Sequence, residues 1–490
     1  MSIRIRTIFT PRGVLWIALV ILPAGCAVGP NYNRPSAPVP TQFAAAEGWK
    51  PAEPSEPASG TDWWTAYSDP VLDGLEQQID ISNQTLKQAE AAWRQAVAAA
   101  QAAGAGLYPT LDISAQAVRS RAADSAVTTA TGSPLGGSPR SLGPKSFSLV
   151  ASAAWELDIW GKIRRTIESD VAIATASNAD LAAARLSAQA ALATDYVQLR
   201  VIDEEKHLYD ETVQSYARSL QITQNQYSAG VVAKSDVITA QAQLQGTQSQ
   251  QIALGVLRAQ LEHAIAVSIG KPPAEFSVAE APLGAAIPVA PTGVPSSLLE
   301  RRPDIAAAER QMAAANAQIG VAIAAYFPDL TLSAADGFSG AALGGLLKTA
   351  NNAWSLGATA AETLFDFGAR KYQVQGARAA YDQTVAAYRQ TVLTAFQQVE
   401  DELAALRILE QQYAVAEQTL QSANEAARLT LNEYKAGTVA YTSVVTAQVT
   451  ALNAALSLAS IREGRLVASI SLIQALGGGW SVQRLDAAPG

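Results

Sequence analysis

The apolar positions of the chain repeat with a helical period over two long tracts. In the first tract they advance by alternating steps of four and three residues, through Tyr209, Val213, Tyr216, Leu220, Thr223 and Tyr227. The second tract has the same rhythm, through Ala416, Leu420, Ala423, Ala427, Thr430 and Tyr434. A mean step of about 3.5 residues is typical of coiled coils, whose helices face one another along a narrow apolar seam. The pattern therefore predicts long, closely packed helices in both tracts.

Shorter tracts alternate between apolar and polar positions, as β-strands do. In the clearest example one face carries apolar side chains, which are Phe147, Leu149, Ala151, Ala153 and Trp155. We predict four strands, at 110–122, 146–157, 329–337 and 353–364. Strands of about ten residues with one apolar face suit a transmembrane β-barrel, but a half-buried sheet in a soluble protein has the same period. The strand pattern alone leaves both interpretations open.

The chain contains two related copies of one unit. Pro109 and Pro328 lie in similar segments that lead into predicted strands, and their positions differ by 219. Further along, Tyr227-Ser-Ala-Gly230 and Tyr434-Lys-Ala-Gly437 differ by 207 positions. The smaller second offset places one length difference in the loop between the two strands of each copy. We therefore predict an internal two-fold repeat, in which each copy has a helix, two strands and a long helical hairpin.

Proline is missing from two long tracts, 145–271 and 329–488. A proline inside a helix costs roughly 3 kcal/mol, so these tracts permit uninterrupted helices. Glycine readily takes the left-handed conformation that ends a helix, which makes Gly230 and Gly437 the natural points of chain reversal. The predicted hairpins occupy 161–269 and 368–476.

These patterns divide the chain into six predicted segments. They are a signal peptide at 1–25, an extended N-terminal tether at 26–68, repeat 1 at 69–270, a linker at 271–296, repeat 2 at 297–476 and a C-terminal tail at 477–490.

Composition limits the chemistry that the chain can perform. The formal net charge of −8 argues against a nucleic-acid partner, which would require a basic surface. The single cysteine excludes a disulfide framework, and two histidines far apart in the sequence leave little for a metal site. The sequence also has no phosphate-binding loop, dinucleotide fingerprint or nucleophile elbow. We therefore predict neither an enzyme nor a cofactor.

The first 26 residues have the pattern of a secretory signal. A basic start is followed by the apolar stretch 13–22, which is too short to span a bilayer as a helix. The stretch ends just before Cys26, and the segment resembles a bacterial lipoprotein signal, in which this thiol is acylated. Pro23 departs from that signal, which usually has leucine there, whereas Ala27 resembles sorting to the outer membrane. An ordinary signal peptide with an incidental cysteine is the alternative.

Four strands in one chain are too few to close a membrane barrel. Open sheet edges are not tolerated in lipid, because their backbone groups would lack hydrogen-bond partners. If the exported chain spans a membrane, it must therefore form an oligomer. The predicted fold is mainly α with a membrane β-barrel: three chains form a trimeric 12-stranded β-barrel continuous with a 12-helix α-barrel.

Several motifs identify a family. Leu298-Leu-Glu-Arg-Arg-Pro-Asp-Ile305, Tyr326-Phe-Pro328 and Asp62-Trp-Trp64, together with the segment 26–35, resemble the TolC-like outer membrane factors, and in particular their lipoprotein branch. The resemblance covers essentially the whole mature chain. It implies a homotrimeric exit duct of a tripartite efflux or export system, lipid-anchored in the bacterial outer membrane and extending into the periplasm. Such a duct passively conducts drugs or other small molecules and docks with a periplasmic adaptor and an inner-membrane pump.

The resemblance also implies roles for three groups of residues besides Cys26. The periplasmic tips that dock the adaptor would include Gly230, Val231, Gly437 and Thr438. Candidates for narrowing the aperture are Lys234, Asp236, Tyr441 and Thr442, although Ser235 or Asp236 could equally be an ordinary helix cap. Aromatic residues expected at the membrane boundary are Trp155, Trp160, Trp354 and Phe367.

Two other protein classes share parts of this pattern. A structural coiled-coil lipoprotein of the cell envelope, without a pore, would have the same helical period. A periplasmic adaptor can also be lipidated and carry a helical hairpin. The adaptor class does not fit two hairpins with a strand pair in each copy, so the non-pore lipoprotein remains the main alternative.

Overall fold

The structure, a computed structural model, describes residues 27–37, 39–40, 62–119, 145–284 and 298–482. The predicted signal peptide, Cys26 and residues 120–122 of the first predicted strand lie outside this part of the chain. The described residues form two compact units. The sheet unit takes its described residues from 27–34, 96–119, 145–173 and 312–384, and the hairpin unit from 35–37, 39–40, 62–95, 174–284, 298–311 and 385–482.

Four antiparallel strands form the sheet, in the order in which they occur along the chain. They are β1 at Thr110–Arg119, β2 at Lys145–Leu157, β3 at Asp329–Gly340 and β4 at Asn352–Ala361. β3 is longer than the predicted 329–337, because Gly337 does not end the strand. A Cβ atom at this position would lie 2.5 Å from the Leu149 carbonyl oxygen, so glycine permits a close approach of two strands. β4 ends three residues before the predicted 364.

The strand register gives the sheet one largely apolar face. Leu111 pairs with Ala153, Ala153 with Ala334, and Ala334 with Leu356, so these side chains form a row across all four strands. Asp336 is a polar exception on the same face, and its Oδ1 accepts a hydrogen bond of 2.8 Å from Asn352 Nδ2. This side of the sheet is exposed in the single chain, where Leu111, Ile113, Trp354 and Leu356 are exposed large hydrophobic residues.

Eight α-helices complete the described chain. They are α1 at Pro70–Ser82, α2 at Gln84–Ala105, α3 at Lys162–Ser228, α4 at Lys234–Ser268, α5 at Leu298–Arg301, α6 at Pro303–Ala324, α7 at Ala369–Lys435 and α8 at Tyr441–Ala475. α3 and α7 each have 67 residues, whereas α4 and α8 each have 35. At about 1.5 Å per residue, each 67-residue helix is about 100 Å long.

The helix predicted before each strand pair is broken in two. In the first copy the break is at Asn83, whose Oδ1 accepts from Leu86 N and whose Nδ2 donates to Ser268 O. One side chain thus caps α2 and also binds a carbonyl at the end of α4. In the second copy α5 ends at Arg301 and α6 begins at Pro303, because the residue before a proline avoids the helical conformation.

The end of the predicted tether is not extended. Trp63–Tyr67 forms a short 3₁₀ helix, and Trp63, Trp64 and Tyr67 are buried in the hydrophobic core of the hairpin unit. The Tyr67 hydroxyl also shares a hydrogen bond of 2.9 Å with Ser469 Oγ of α8. Three aromatic side chains in five residues supply enough apolar area to order this segment.

The carboxyl group of Glu76 is completely buried in the same unit. Glu76 of α1 is 0% exposed, and the described residues provide no hydrogen-bond partner for either carboxyl oxygen. Burial, with smaller contributions from the nearby carboxylates of Asp80 and Asp73, raises the pKa of Glu76 to about 9. The side chain is therefore neutral at pH 7.

Candidate functional site

The two hairpins reverse through turns of the same geometry. Gly230 and Gly437 adopt φ values of 74° and 80°, in the left-handed region that favours glycine. In the first turn Gly230 N donates to Tyr227 O and Val231 N donates to Gln226 O. In the second, Gly437 N donates to Tyr434 O and Thr438 N to Glu433 O, which is the same Schellman pattern.

The four residues predicted to dock a partner lie at these turns. Gly230, Gly437 and Thr438 are exposed, and Val231 is 66% exposed. A Cβ atom at either glycine would meet no other atom within 4 Å. The turns therefore present free surface in the single chain, and only their backbone conformation restricts the residue type.

A cluster of buried side chains, here called the tip cluster, lies on the hairpin helices next to the turns. It consists of Ala240 of α4, Tyr434 of α7, and Tyr441 and Val444 of α8, with Leu220 and Ile222 of α3 packed against it. The rings of Tyr434 and Tyr441 are 5.2 Å apart, and the Tyr434 hydroxyl donates to Thr223 Oγ1 over 3.3 Å. Side chains from all four hairpin helices thus meet in one cluster.

The candidate aperture residues occupy three different environments. Tyr441 is only 2% exposed, and burial raises its pKa to about 12. Lys234 and Thr442 are exposed on the first turns of their helices. Asp236 is half-buried. Burial, with a smaller contribution from the Asp236 carboxylate, raises the pKa of Tyr434. Tyr441 consequently holds the tip together inside the chain and does not face solvent.

The expected boundary aromatics lie in the sheet unit in two environments. Trp160 stacks on Phe327 with the ring centroids 4.6 Å apart, and its Nε1 donates to Pro328 O. Trp155 Nε1 donates to Leu107 O, so both indoles have hydrogen-bond partners within the chain. Trp354 and Phe367 are exposed, with Phe367 at 88%. Exposed aromatic rings are typical of a membrane interface.

The transition from strand to long helix is fixed by an aspartate in each copy. Asp158 accepts hydrogen bonds from Ile163 N and Arg164 N at the start of α3. Asp366 accepts from Gly368 N and Arg370 N at the start of α7. Both carboxylates accept hydrogen bonds from backbone N–H groups that have no partner within the helix. Their negative charge also interacts favourably with the positive, N-terminal end of the helix dipole.

Sequence reasoning missed two features of these sites. From the sequence, Tyr434 is part of the second periodic tract and of the repeat, and Thr223 is part of the first tract, but the hydrogen bond between them is not predicted. Nothing in the sequence indicated that Arg165 binds the residues after Cys26, because the contact joins segments more than 130 positions apart. Cys26 itself lies outside the described residues. In the ranges that the structure covers, no group of three or more His, Cys, Asp or Glu side chains is arranged to hold a metal ion.

Comparison with known proteins finds relatives along nearly the whole chain. The family described as Outer membrane efflux protein matches residues 75–271 and 294–478. The chain is 32% identical over 454 residues to the pyoverdine export outer membrane protein OpmQ of Pseudomonas aeruginosa, covering 91% of this chain and 94% of the relative. It is 27% identical to the probable efflux pump outer membrane protein TtgC of Pseudomonas putida, covering 94% of each chain.

A solved structure has the same fold. The outer-membrane channel OprN superposes with a TM-score of 0.83 and 30% sequence identity, over 93% of this chain and all of that one. The predicted resemblance to TolC-like factors is therefore confirmed, and the chain belongs to the outer membrane efflux protein family.

Proposed function

We propose that three copies of this chain form the exit duct of a tripartite efflux or export system in the bacterial outer membrane. Each copy contributes four strands to a 12-stranded membrane β-barrel and four long helices to a 12-helix α-barrel. The duct is passive, because the family is one of channels and the pump partner supplies the energy.

The unpaired edges of the sheet are the observation that carries this proposal. Within the described part of the chain, β1 and β4 each pair with only one neighbouring strand. An unpaired edge cannot face hydrocarbon, since every backbone donor and acceptor there needs a partner. Pairing β4 of one copy with β1 of the next satisfies both edges, and closure of the ring removes them all.

The hairpin lengths support a trimer with nearly six-fold symmetry. The bounds of α3 and α7 differ by 207 positions, as do those of α4 and α8. Two hairpins of equal length per chain give six similar hairpins in three chains. We propose that this two-fold repeat lets a three-fold assembly form a regular tube.

The apolar surface of α8 also fits an assembly. By length and composition α8 could cross a membrane, but only 22% of its most apolar window is buried within the chain. Such a window is weak evidence for a membrane span, since core helices of soluble proteins have the same composition. In the proposed tube, neighbouring chains cover the apolar positions of α8.

We propose the remaining partners from the exposed tips and from the N-terminal sequence. The exposed turns at Gly230 and Gly437 are the proposed contact with a periplasmic adaptor, through which the duct reaches an inner-membrane pump. Acylation of Cys26 would anchor each chain in outer-membrane lipid. The relatives' names refer to pyoverdine export and to efflux, and for this chain we propose small molecules as the cargo.

Extraction of the full-length lipoprotein in detergent tests the proposal. We expect a particle with the protein mass of three chains, and stepwise ion conductance when it is added to planar lipid bilayers. Protein unfolded in denaturant and diluted without lipid or detergent is the control, because its strand edges cannot pair in a barrel. A monomeric particle that leaves bilayers electrically silent would instead indicate a non-pore coiled-coil lipoprotein.

A further inference from the structure

The residues directly after the proposed lipid site are bound to the sheet unit. Val28 N donates to Trp160 O over 3.0 Å, at the junction between β2 and α3. Asn316 Nδ2 of α6 donates to Pro30 O over 3.0 Å. The segment at 27–31 therefore has backbone contacts with two separate parts of the sheet unit.

Arg165 of α3 makes the central contact. Its side chain is 4% exposed and donates to three groups of the segment: Val28 O over 3.2 Å, Gly29 O over 3.3 Å and Asn31 Oδ1 over 2.9 Å. Its remaining nitrogen forms an ion pair of 2.7 Å with Glu168. The planar guanidinium can reach several acceptors at once, which a lysine ammonium cannot do in the same geometry.

Glycines allow the segment to lie this close. A Cβ atom on Gly29 would be 2.6 Å from Gly320 Cα, and one on Gly161 would be 2.7 Å from Ala27. Both glycines have positive φ, at 96° and 79°. Larger residues at either position would collide with backbone, so the close contact depends on these two glycines.

We propose that residues 27–31 and Arg165 form an anchoring clasp that fixes the point at which the acylated Cys26 enters the membrane. The inference rests on the proposed acylation and goes beyond it. Only Ala27 separates Cys26 from the bound Val28, and two Cα steps span at most about 7.6 Å. The lipid is then held close to Trp160, at the junction between β2 and α3, and is not at the end of a flexible tether.

The second copy has no such clasp among the described residues. A Cβ atom on Gly368, which corresponds to Gly161, would meet only the ring of Tyr372 within its own chain. The exposed Phe367 lies beside it. A trimer would therefore alternate three strand-to-helix junctions that carry a lipid with three that present aromatic rings to the membrane.

A spin label on Asn33→Cys tests the clasp in the full-length acylated protein. Asn33 is exposed and lies two residues beyond Asn31. Since Cys26 is the only native cysteine and its thiol would be blocked by lipid, one label per chain is expected. The spectrum should show slow, restricted motion of the label, and Arg165→Ala should change it to one that shows fast motion. Asn31→Ala changes an exposed side chain and leaves α3 unaltered. It removes one of the three acceptors that the segment offers to Arg165, so the label should show intermediate mobility.

Arg185→Ala is the matched control on the same helix. Arg185 binds Asp80 in the hairpin unit and does not contact the segment, so its replacement should leave the spectrum unchanged. A fast spectrum in the unmodified background, or the same restricted spectrum in Arg165→Ala and Asn31→Ala, would overturn the clasp. Two labels per chain would show a free Cys26 thiol and would contradict the acylation. The clasp would then be tested separately, by the label on Asn33→Cys in a Cys26→Ser background.

Discussion

Tyr441→Ala is expected to raise the single-channel conductance of the assembled protein and to lower its thermal stability. The Tyr441 ring is buried between Tyr434 and the helices of both hairpins. Truncating a buried aromatic side chain to alanine typically costs about 3–5 kcal/mol, because the cavity left behind is only partly filled. With less packing to hold the helix ends together, we expect the tips to separate and widen the aperture.

Two variants isolate the ring as the cause of this effect. Tyr441→Phe keeps the ring, so its conductance should remain close to that of the unmodified protein. Tyr227→Ala makes the same truncation at the first-copy position equivalent to Tyr434, where the side chain is exposed. It should change neither conductance nor stability by much. An unaltered conductance in Tyr441→Ala would show that the tip cluster does not restrict the aperture.

Glu76→Gln is expected to remove a pH dependence from the stability of the hairpin unit. Burial raises the pKa of Glu76 from 4.5 to about 9, so between these values the folded chain holds a proton that the unfolded chain has lost. Stability therefore decreases as pH rises through this window, by up to about 1.4 kcal/mol per pH unit. Below pH 4.5 both states are protonated and this dependence disappears.

Thermal unfolding followed by circular dichroism between pH 5.5 and pH 8.5, a range of about three units inside the window, measures the effect. The midpoint of the unmodified protein should fall as pH rises, and that of Glu76→Gln should fall less. Glu90→Gln is the control, because Glu90 is exposed on α2 and its ion pair with Arg94 lies at the surface. Equal slopes in the unmodified protein and Glu76→Gln would mean that the buried carboxyl finds a compensating partner.

The family and the channel function could be predicted from sequence because they depend on local, repeated signals. The 3.5-residue period, the proline-free tracts and the paired glycines at Gly230 and Gly437 each follow from the geometry of a helix or its end. The motif at 298–305 then identified the family, which the comparison with known relatives confirmed. None of these signals depends on which segments meet in the folded chain.

The tip shows where such signals are insufficient. The repeat pairs Lys234 with Tyr441, and the period treats Tyr227 and Tyr434 alike. In the structure Tyr434 and Tyr441 are buried while Lys234 and Tyr227 are exposed. The two hairpins pack against each other asymmetrically, and a sequence repeat contains no information about that asymmetry.

The sequence by itself determined the period of the helices, the positions of the turns and the pattern of the strands, because each depends on residues close together in the chain. Only the tertiary structure decided that Trp63–Tyr67 is buried, that Glu76 is enclosed without a partner among the described residues and that Arg165 holds residues 27–31. Each of these depends on contacts between residues far apart in sequence. Such contacts determine how exposed a side chain is to solvent and which partners it has. Residue type and spacing along the chain do not determine either.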